Sequence, residues 1–178
     1  MGKYKIFVDG SSGTTGLRIA DRLAERDEFE ILKISEEDRR DVRARAAVIN
    51  ESDLSFLCLP DDAAREVVPL LRDDVRILDT STAHRTAPGW VYGLPELFRD
   101  EIRKTRIIGN PGCYPTSVAL GLAPALRGGF VETAGIVIDS KSGTTGAGRG
   151  LSQTTHFPDC NEAFSAYKVA SHRHTPEI

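Results

Sequence analysis

Apolar and polar positions along the first hundred residues alternate between two periods. Lys5 to Asp9 is a short apolar run ending in a carboxylate, and it predicts a strand. Leu17, Ile19, Ala20, Leu23 and Ala24 then recur at helical spacing, and Glu30 to Ile34 predicts a second strand. Asp41 to Asn50 reads as a short helix or a loop. Leu54 to Leu59 predicts a buried strand, stopped by Pro60, with Asp62 as N-cap of a helix over Ala63 to Leu71. Val75 to Asp79 predicts another strand. Trp90 to Leu94 reads as a loop leading into a short helix from Pro95, and Arg106 to Ile108 as one more strand. Strands separated by helical segments of this length make parallel βαβ units. The expected class is therefore α/β, with a doubly wound first part.

The second half has a different texture. Val118, Ala119, Leu120, Leu122, Ala123, Ala125 and Leu126 predict a helix, and Gly135 to Ser140 predicts a strand. The expected division is a dinucleotide-binding domain over residues 1–112 and part of a catalytic and substrate domain over 113–178. The chain closes directly after its most reactive-looking residues, so a fragment of a longer polypeptide is expected.

Glycines punctuate the first strand–helix junction: Gly10, Ser11, Ser12, Gly13, Thr14, Thr15, Gly16. A glycine-rich turn between a strand and a helix brings backbone N–H groups and the helix N-terminus onto a pyrophosphate. The spacing is G-x-x-G-x-x-G rather than the usual G-x-G-x-x-G, so its context carries more weight than the pattern itself. The second strand runs into Ser35, Glu36, Glu37, Asp38, Arg39 and Arg40. Ser35, with Arg39 or Arg40, suits a ribose phosphate and favours NADP over NAD, although the charge run also fits a solvated helix start. Thr80 to Arg85 lies just beyond a strand's carboxyl end, where such sheets bind ligands. Arg85 suits a phosphate or carboxylate there and equally a salt bridge; His84 reads as structural.

Cys113 stands where a strand turns into the first turn of a helix, behind Gly109, Asn110, Pro111 and Gly112. A helix N-terminus favours thiolate over thiol, and Pro115 suits the first turn because its missing N–H would be unpaired there. Cys58 reads as core and Cys160 as non-catalytic. Three cysteines with no C-x-x-C pair argue for reduced thiols in a cytoplasm rather than for disulfides or zinc. His172 and His174 fall in the last eight residues. A histidine is the usual base for a catalytic thiol, and two alone are too few for a structural zinc site. Arg149, ending a glycine- and hydroxyl-rich loop, suits an acidic substrate. The net charge of −3 exerts no general pull toward nucleic acid or membranes, and no apolar run approaches the ~18 residues of a membrane helix.

These motifs together resemble the shorter variant of the N-acetyl-gamma-glutamyl-phosphate reductase family. The resemblance rests on residues 10–16, on Asp79 to Arg85, on Gly-Asn-Pro-Gly-Cys-Tyr-Pro-Thr over 109–116, on Ser142 to Arg149, and on His-Arg-His-Thr-Pro-Glu-Ile over 172–178. It implies a Rossmann domain followed by an α/β domain with an extended sheet, and a homo-oligomer, dimer or tetramer, in full-length members. It implies NADPH-dependent reduction of an acyl phosphate through a thioester on Cys113, in arginine biosynthesis. His172 is the expected acid/base, with His174 as runner-up. Gly10, Ser12, Gly13, Thr14, Thr15, Gly16, Ser35 and Arg39 are expected at the NADP(H). Arg85, Asn110, Arg149, His174 and Glu177 are expected at N-acetylglutamyl phosphate or the leaving phosphate. An aspartate-semialdehyde dehydrogenase-like enzyme acting on another acyl phosphate, or a non-catalytic NADP-binding module, also fits the first half.

Overall fold

The computed structural model describes residues 2–178. The chain divides into two compact units, one ending at Pro111 and one spanning Gly112–Ile178. In the first unit six strands form one wholly parallel sheet: β1 (Tyr4–Asp9), β2 (Phe29–Leu32), β3 (Leu54–Leu57), β4 (Ile77–Asp79), β5 (Val91–Tyr92) and β6 (Ile107–Gly109). Their order is β2-β1-β3-β4-β6-β5. The helices are α1 (Thr14–Ala24), α2 (Val42–Glu51), α3 (Asp61–Val67) and α4 (Pro95–Lys104). The chain leaves β1 for β2 on one side and returns to β3 on the other. Strand order thus reverses at β1, and the carboxyl ends of β1 and β3 flank the crevice where ligands bind in such sheets.

Phe7, Leu57 and Ile77, from the three central strands, join Ala46 and Ile49 of α2, Val67 of α3 and Val75 in one buried cluster. Truncating a side chain such as Leu57 there would cost about 2–5 kcal/mol. Helix α2 supplies two cluster members. Its first turn is held by Asp41, whose side chain accepts from the N–H groups of Arg43 (2.7 Å) and Ala44 (3.0 Å). Those bonds hold the Asp41 carboxyl below its usual range. They also decide between the helix and loop readings of this stretch.

Several boundaries differ from the sequence expectation. Asp62 is not the cap of α3: Pro60 takes that place, and Asp61 and Asp62 both lie in the first turn. The α-helix ends at Val67 and continues as a 3-10 turn over Val68–Leu70. Pro69 has no N–H to continue the i→i−4 ladder, which explains the change. Trp90 to Leu94 includes the two-residue strand β5 on the sheet edge; two residues carry too little periodicity to be read.

The second unit holds α5 (Cys113–Arg127) and the single-turn α6 (Phe157–Cys160), with 3-10 turns at Thr144–Ala147, Gln153–Thr155 and Thr175–Glu177. Gly135 to Ser140 is not a strand, and among the described residues no strand follows Gly109. An apolar, β-branched run makes a strand only where a neighbouring backbone pairs with it. Val137 and Ile138 instead lie along Ser117, Val118, Gly121 and Leu122 of α5, and the stretch stays exposed.

Candidate functional site

The glycine turn of the first unit is shaped by backbone approach. Gly10 has φ +82°, in the left-handed region, and a Cβ there would meet the carbonyl oxygen of Cys58 at 2.3 Å. A Cβ on Gly16 would meet the Gly10 carbonyl oxygen at 2.3 Å. Gly13 N–H donates to Gly10 O at 3.0 Å and closes the turn. Gly13 also caps α1 without a side-chain bond, and no acidic residue occupies the first turn. Ser12, Thr14 and Thr15 are exposed at this helix start. A crowded glycine turn feeding a helix N-terminus with no side-chain cap bond and no acidic residue in its first turn, at the reversal of strand order, fits a dinucleotide pyrophosphate.

Beneath the turn lies a buried ion pair. Asp9 ends β1, and its Oδ2 accepts from Arg45 Nε of α2 at 2.9 Å, both side chains being almost wholly enclosed. Burial pushes the Asp9 carboxyl up, against the lowering effect of Arg45. Arg45 Nη2 also reaches the Ala63 carbonyl at 3.4 Å, so one guanidinium joins β1, α2 and α3. Residues 35–40 carry short-range contacts. Ser35 Oγ donates to Asp38 Oδ2 at 2.7 Å and accepts Asp38 N–H at 3.0 Å, and Arg39 Nε pairs with Glu36 Oε2 at 3.1 Å. Both Ser35 and Arg39 are exposed or half-exposed around the 3-10 turn Asp38–Arg40.

The segment after β4 is held by two carboxylates. Asp79, fully buried, accepts from Ser81 N–H, Ser81 Oγ and His84 Nδ1, at 2.8, 2.8 and 2.6 Å. Asp61 accepts from the N–H and hydroxyl of Thr82. His84 stacks on Trp90, with ring centroids 4.3 Å apart. Arg85 is buried and donates from Nη2 to Thr80 O at 2.9 Å. Asn110 N–H donates to Asp79 O at 2.7 Å and its side chain to Pro111 O. Cys58, just beyond the end of β3, is half-buried, and desolvation pushes its thiol up to about 11. A thiol so placed is a poor nucleophile at neutral pH.

Cys113, in the second unit, is the first residue of α5 and is exposed. Gly112 caps the helix without a side chain, so the N–H groups of Cys113 and Tyr114 have no side-chain acceptor from the cap. Thr116 closes the turn, donating from N–H and Oγ1 to Gly112 O at 3.0 and 2.8 Å. A chain of polar contacts runs beside this turn. His174 N–H donates to His172 Nδ1 at 3.2 Å, so in the neutral ring the proton sits on Nε2. Nε2 lies 3.1 Å from Tyr167 Oη, which in turn donates to Tyr114 Oη at 3.3 Å. The Tyr167 hydroxyl is pushed up to about 12, first by its bond to Tyr114 and next by desolvation, with negative charge on Tyr114 and Cys113 adding to it. Thiol, phenols and imidazole thus share one neighbourhood. The rings of Tyr114 and His172 meet edge to face at 5.5 Å, and those of His172 and His174 at 4.8 Å.

His174 is buried and His172 half-buried. Glu177 accepts the Gly112 N–H at 2.9 Å. Arg149 lies in an exposed run of 3-10 and irregular backbone. Cys160 Sγ donates to Phe157 O in its own turn at 3.8 Å. Sequence reasoning missed Tyr114 and Tyr167 as partners of His172, and Asp61 as a partner of Thr82. A phenol has no periodic or spacing signature, so only the folded turn could show those contacts.

The comparisons with known proteins cover both units. Residues 36–105 match the semialdehyde dehydrogenase NAD-binding domain, and residues 113–178 the semialdehyde dehydrogenase dimerisation domain. An N-acetyl-gamma-glutamyl-phosphate reductase of Trichormus variabilis is 48% identical over 158 residues, covering 86% of this chain and 49% of the relative. A protein of the same name from Brucella ovis is 42% identical over 187 residues, covering 99% of this chain and 60% of the relative. The chain therefore spans half to three-fifths of the length of these curated relatives. An aspartate semialdehyde dehydrogenase structure from Francisella tularensis shares the fold at 13% identity and a TM-score of 0.52, over 71% of this chain and 41% of that one. No helix among the described residues is long and apolar enough to cross a membrane.

Proposed function

The chain belongs to the semialdehyde dehydrogenase family, and from that premise we propose that its protein reduces N-acetyl-L-glutamyl 5-phosphate to N-acetyl-L-glutamate 5-semialdehyde and phosphate, with NADPH, in arginine biosynthesis. The observation that carries this reading is the placement of Cys113 at the start of α5 beside the His172–Tyr167–Tyr114 contacts. The curated relatives named for this activity at 42–48% identity supply the substrate.

In the proposed reaction the Cys113 thiolate attacks the acyl carbon. A C–S bond forms, the C–O bond to phosphorus breaks, and phosphate leaves with the electron pair. NADPH, when bound on Gly10, Ser12, Gly13, Thr14, Thr15 and Gly16 with Ser35 and Arg39 at the ribose phosphate, supplies the hydride that reduces the thioester. The backbone N–H groups of Cys113 and Tyr114 stabilise the oxyanion that builds on the acyl oxygen; in enzymes where one such donor was removed, the loss was about 3–4 kcal/mol. His172 holds its proton on Nε2 and gives it to that oxygen, then takes it back as the C–S bond breaks and the aldehyde leaves. Tyr167 keeps the ring oriented. Arg85 and Asn110, with Arg149 and His174, are assigned to the phosphate and substrate carboxylate. The dimerisation domain matched by residues 113–178 supports a homo-oligomer, and the reduced cysteines a cytoplasmic setting.

The test is phosphate-dependent reduction of NADP by N-acetylglutamate semialdehyde in a polypeptide spanning the full length of the relatives, with aspartate semialdehyde as control. Turnover with the N-acetylated substrate alone is expected. Cys113→Ser is expected to bind NADP normally and lose nearly all turnover; comparable turnover in that variant would remove the covalent route. NADP binding without turnover of either substrate would remove the reductase reading.

A further inference from the structure

Helix α5 begins without the usual means of satisfying its cap. In a capping box the third helical residue reaches back with a carboxylate or amide to the N–H of the cap. Here the third residue is Pro115, and the cap, Gly112, has no side chain. The N–H of Gly112 donates instead to Oε2 of Glu177, 65 residues further on, at 2.9 Å. Glu177 belongs to the 3-10 turn Thr175–Glu177, which is hung on the histidine segment. Thr175 N–H donates to His172 O at 3.0 Å, and Glu177 N–H to His174 O at 3.1 Å. One carboxylate therefore ties the turn that carries His172 and His174 to the cap of the helix whose first residue is Cys113.

We infer that Glu177 is a positioning residue that sets His172 against Cys113, rather than a substrate contact. This rests on the proposed role of Cys113 as nucleophile. The tether has two consequences of opposite sign. Its hydrogen bond holds acid/base and nucleophile in register, which raises turnover. Its negative charge stands at the helix start, bonded to the residue before Cys113, where it repels other anionic groups. The other charged or titratable groups on the packed elements are Tyr114 on α5, and Tyr167, His172, Arg173 and His174 on the closing segment. Substitutions at Glu177 leave these residues in place, so the charge and the hydrogen bond at position 177 are compared against the same neighbours.

Glu177→Gln keeps an oxygen for the Gly112 N–H and removes the charge; Glu177→Ala removes both. The experiment uses the full-length polypeptide, with circular dichroism as the folding control. Iodoacetamide labelling of each cysteine is followed by mass spectrometry, alongside reductase kinetics. In the wild type Cys113 is expected to label fastest. In Glu177→Gln it is expected to label about threefold faster at fixed pH, with kcat kept within about threefold. In Glu177→Ala, kcat is expected to fall about tenfold or more while KM for NADP stays unchanged. Unaltered labelling and kcat in both variants would overturn the inference. So would equal losses in both, accompanied by a raised substrate KM, since that pattern marks a substrate contact. If Glu177→Ala does not fold, the labelling and kcat of Glu177→Gln decide alone. Wild-type Cys113 labelling no faster than Cys58 and Cys160 would instead remove the nucleophile, and the tether with it.

Discussion

Replacing Gly16 by alanine sets two well-measured effects against each other. Gly16 is the third residue of α1, where alanine is intrinsically better than glycine by about 1 kcal/mol. Helix propensity alone therefore predicts a stabilised protein. The added methyl, however, would stand 2.3 Å from the Gly10 carbonyl oxygen, and 2.9 Å from both Gly10 C and Ser11 Cα. All three are backbone atoms, which cannot swing aside as a long side chain can. Relieving such a contact costs about 1–3 kcal/mol. Moving the Gly10 carbonyl also disturbs the bond it accepts from Gly13 N–H, worth about 1 kcal/mol. The balance is a net loss of about 1–3 kcal/mol. With a urea m-value of about 1–3 kcal/mol/M, the unfolding midpoint should fall by roughly 1 M. The same displacement deforms the glycine turn, so affinity for the proposed NADPH, read by fluorescence titration, should weaken by on the order of tenfold, equivalent to about 1.4 kcal/mol. A variant that melts later than the parent and binds NADPH equally well would refute the steric account and leave propensity as the deciding effect.

Arg45→Met leaves Asp9 buried without its guanidinium and should cost about 3–5 kcal/mol, whereas Asp9→Asn combined with Arg45→Met should recover much of that loss in the same urea assay. Because burial holds the Asp9 carboxyl above 3.8, the folded state keeps that proton longer than the unfolded chain; its contribution to stability is greatest in acid and declines as pH rises from 3.8 through the folded value, and a midpoint series from pH 4 to 7 should show this most steeply in Arg45→Met. Cys58, raised to about 11, should lose stability as pH climbs from 9 toward 11 and should react with a disulfide reagent at pH 8 only on unfolding; rapid native-state labelling would contradict the burial argument. Tyr167 should titrate by near-ultraviolet absorbance near its raised value of about 12, and Tyr114→Phe should bring it down, since the bond to Tyr114 is the largest cause of the shift.

Much of this protein was legible from local pattern. The glycine turn and the junction at Cys113 are built from neighbours in sequence, and turn glycines and period report such neighbours directly, whereas the Asp41–Asn50 stretch stayed open between helix and loop until its cap was seen. Asp41 caps α2 through atoms two and three residues away, and Gly112 and Cys113 begin α5 where the change from turn to helix placed them. The α/β class followed because parallel strands need crossovers long enough to hold a helix.

Only the tertiary structure decided the contacts that join distant residues. Asp9 meeting Arg45, Asp61 meeting Thr82 and Glu177 meeting Gly112 leave no trace in spacing, because each depends on which crossover packs where. The stretch Gly135 to Ser140 marks the same boundary from the other side. Its β-branched apolar run is a strand signal, yet a strand is a relation between two backbones, and no described residue supplies the second one. Local chemistry thus determined which elements could form, and where a glycine turn and a cysteine at a helix start would fall. Long-range pairing decided which of those elements exist, and which carboxylate, phenol and imidazole stand beside the thiol.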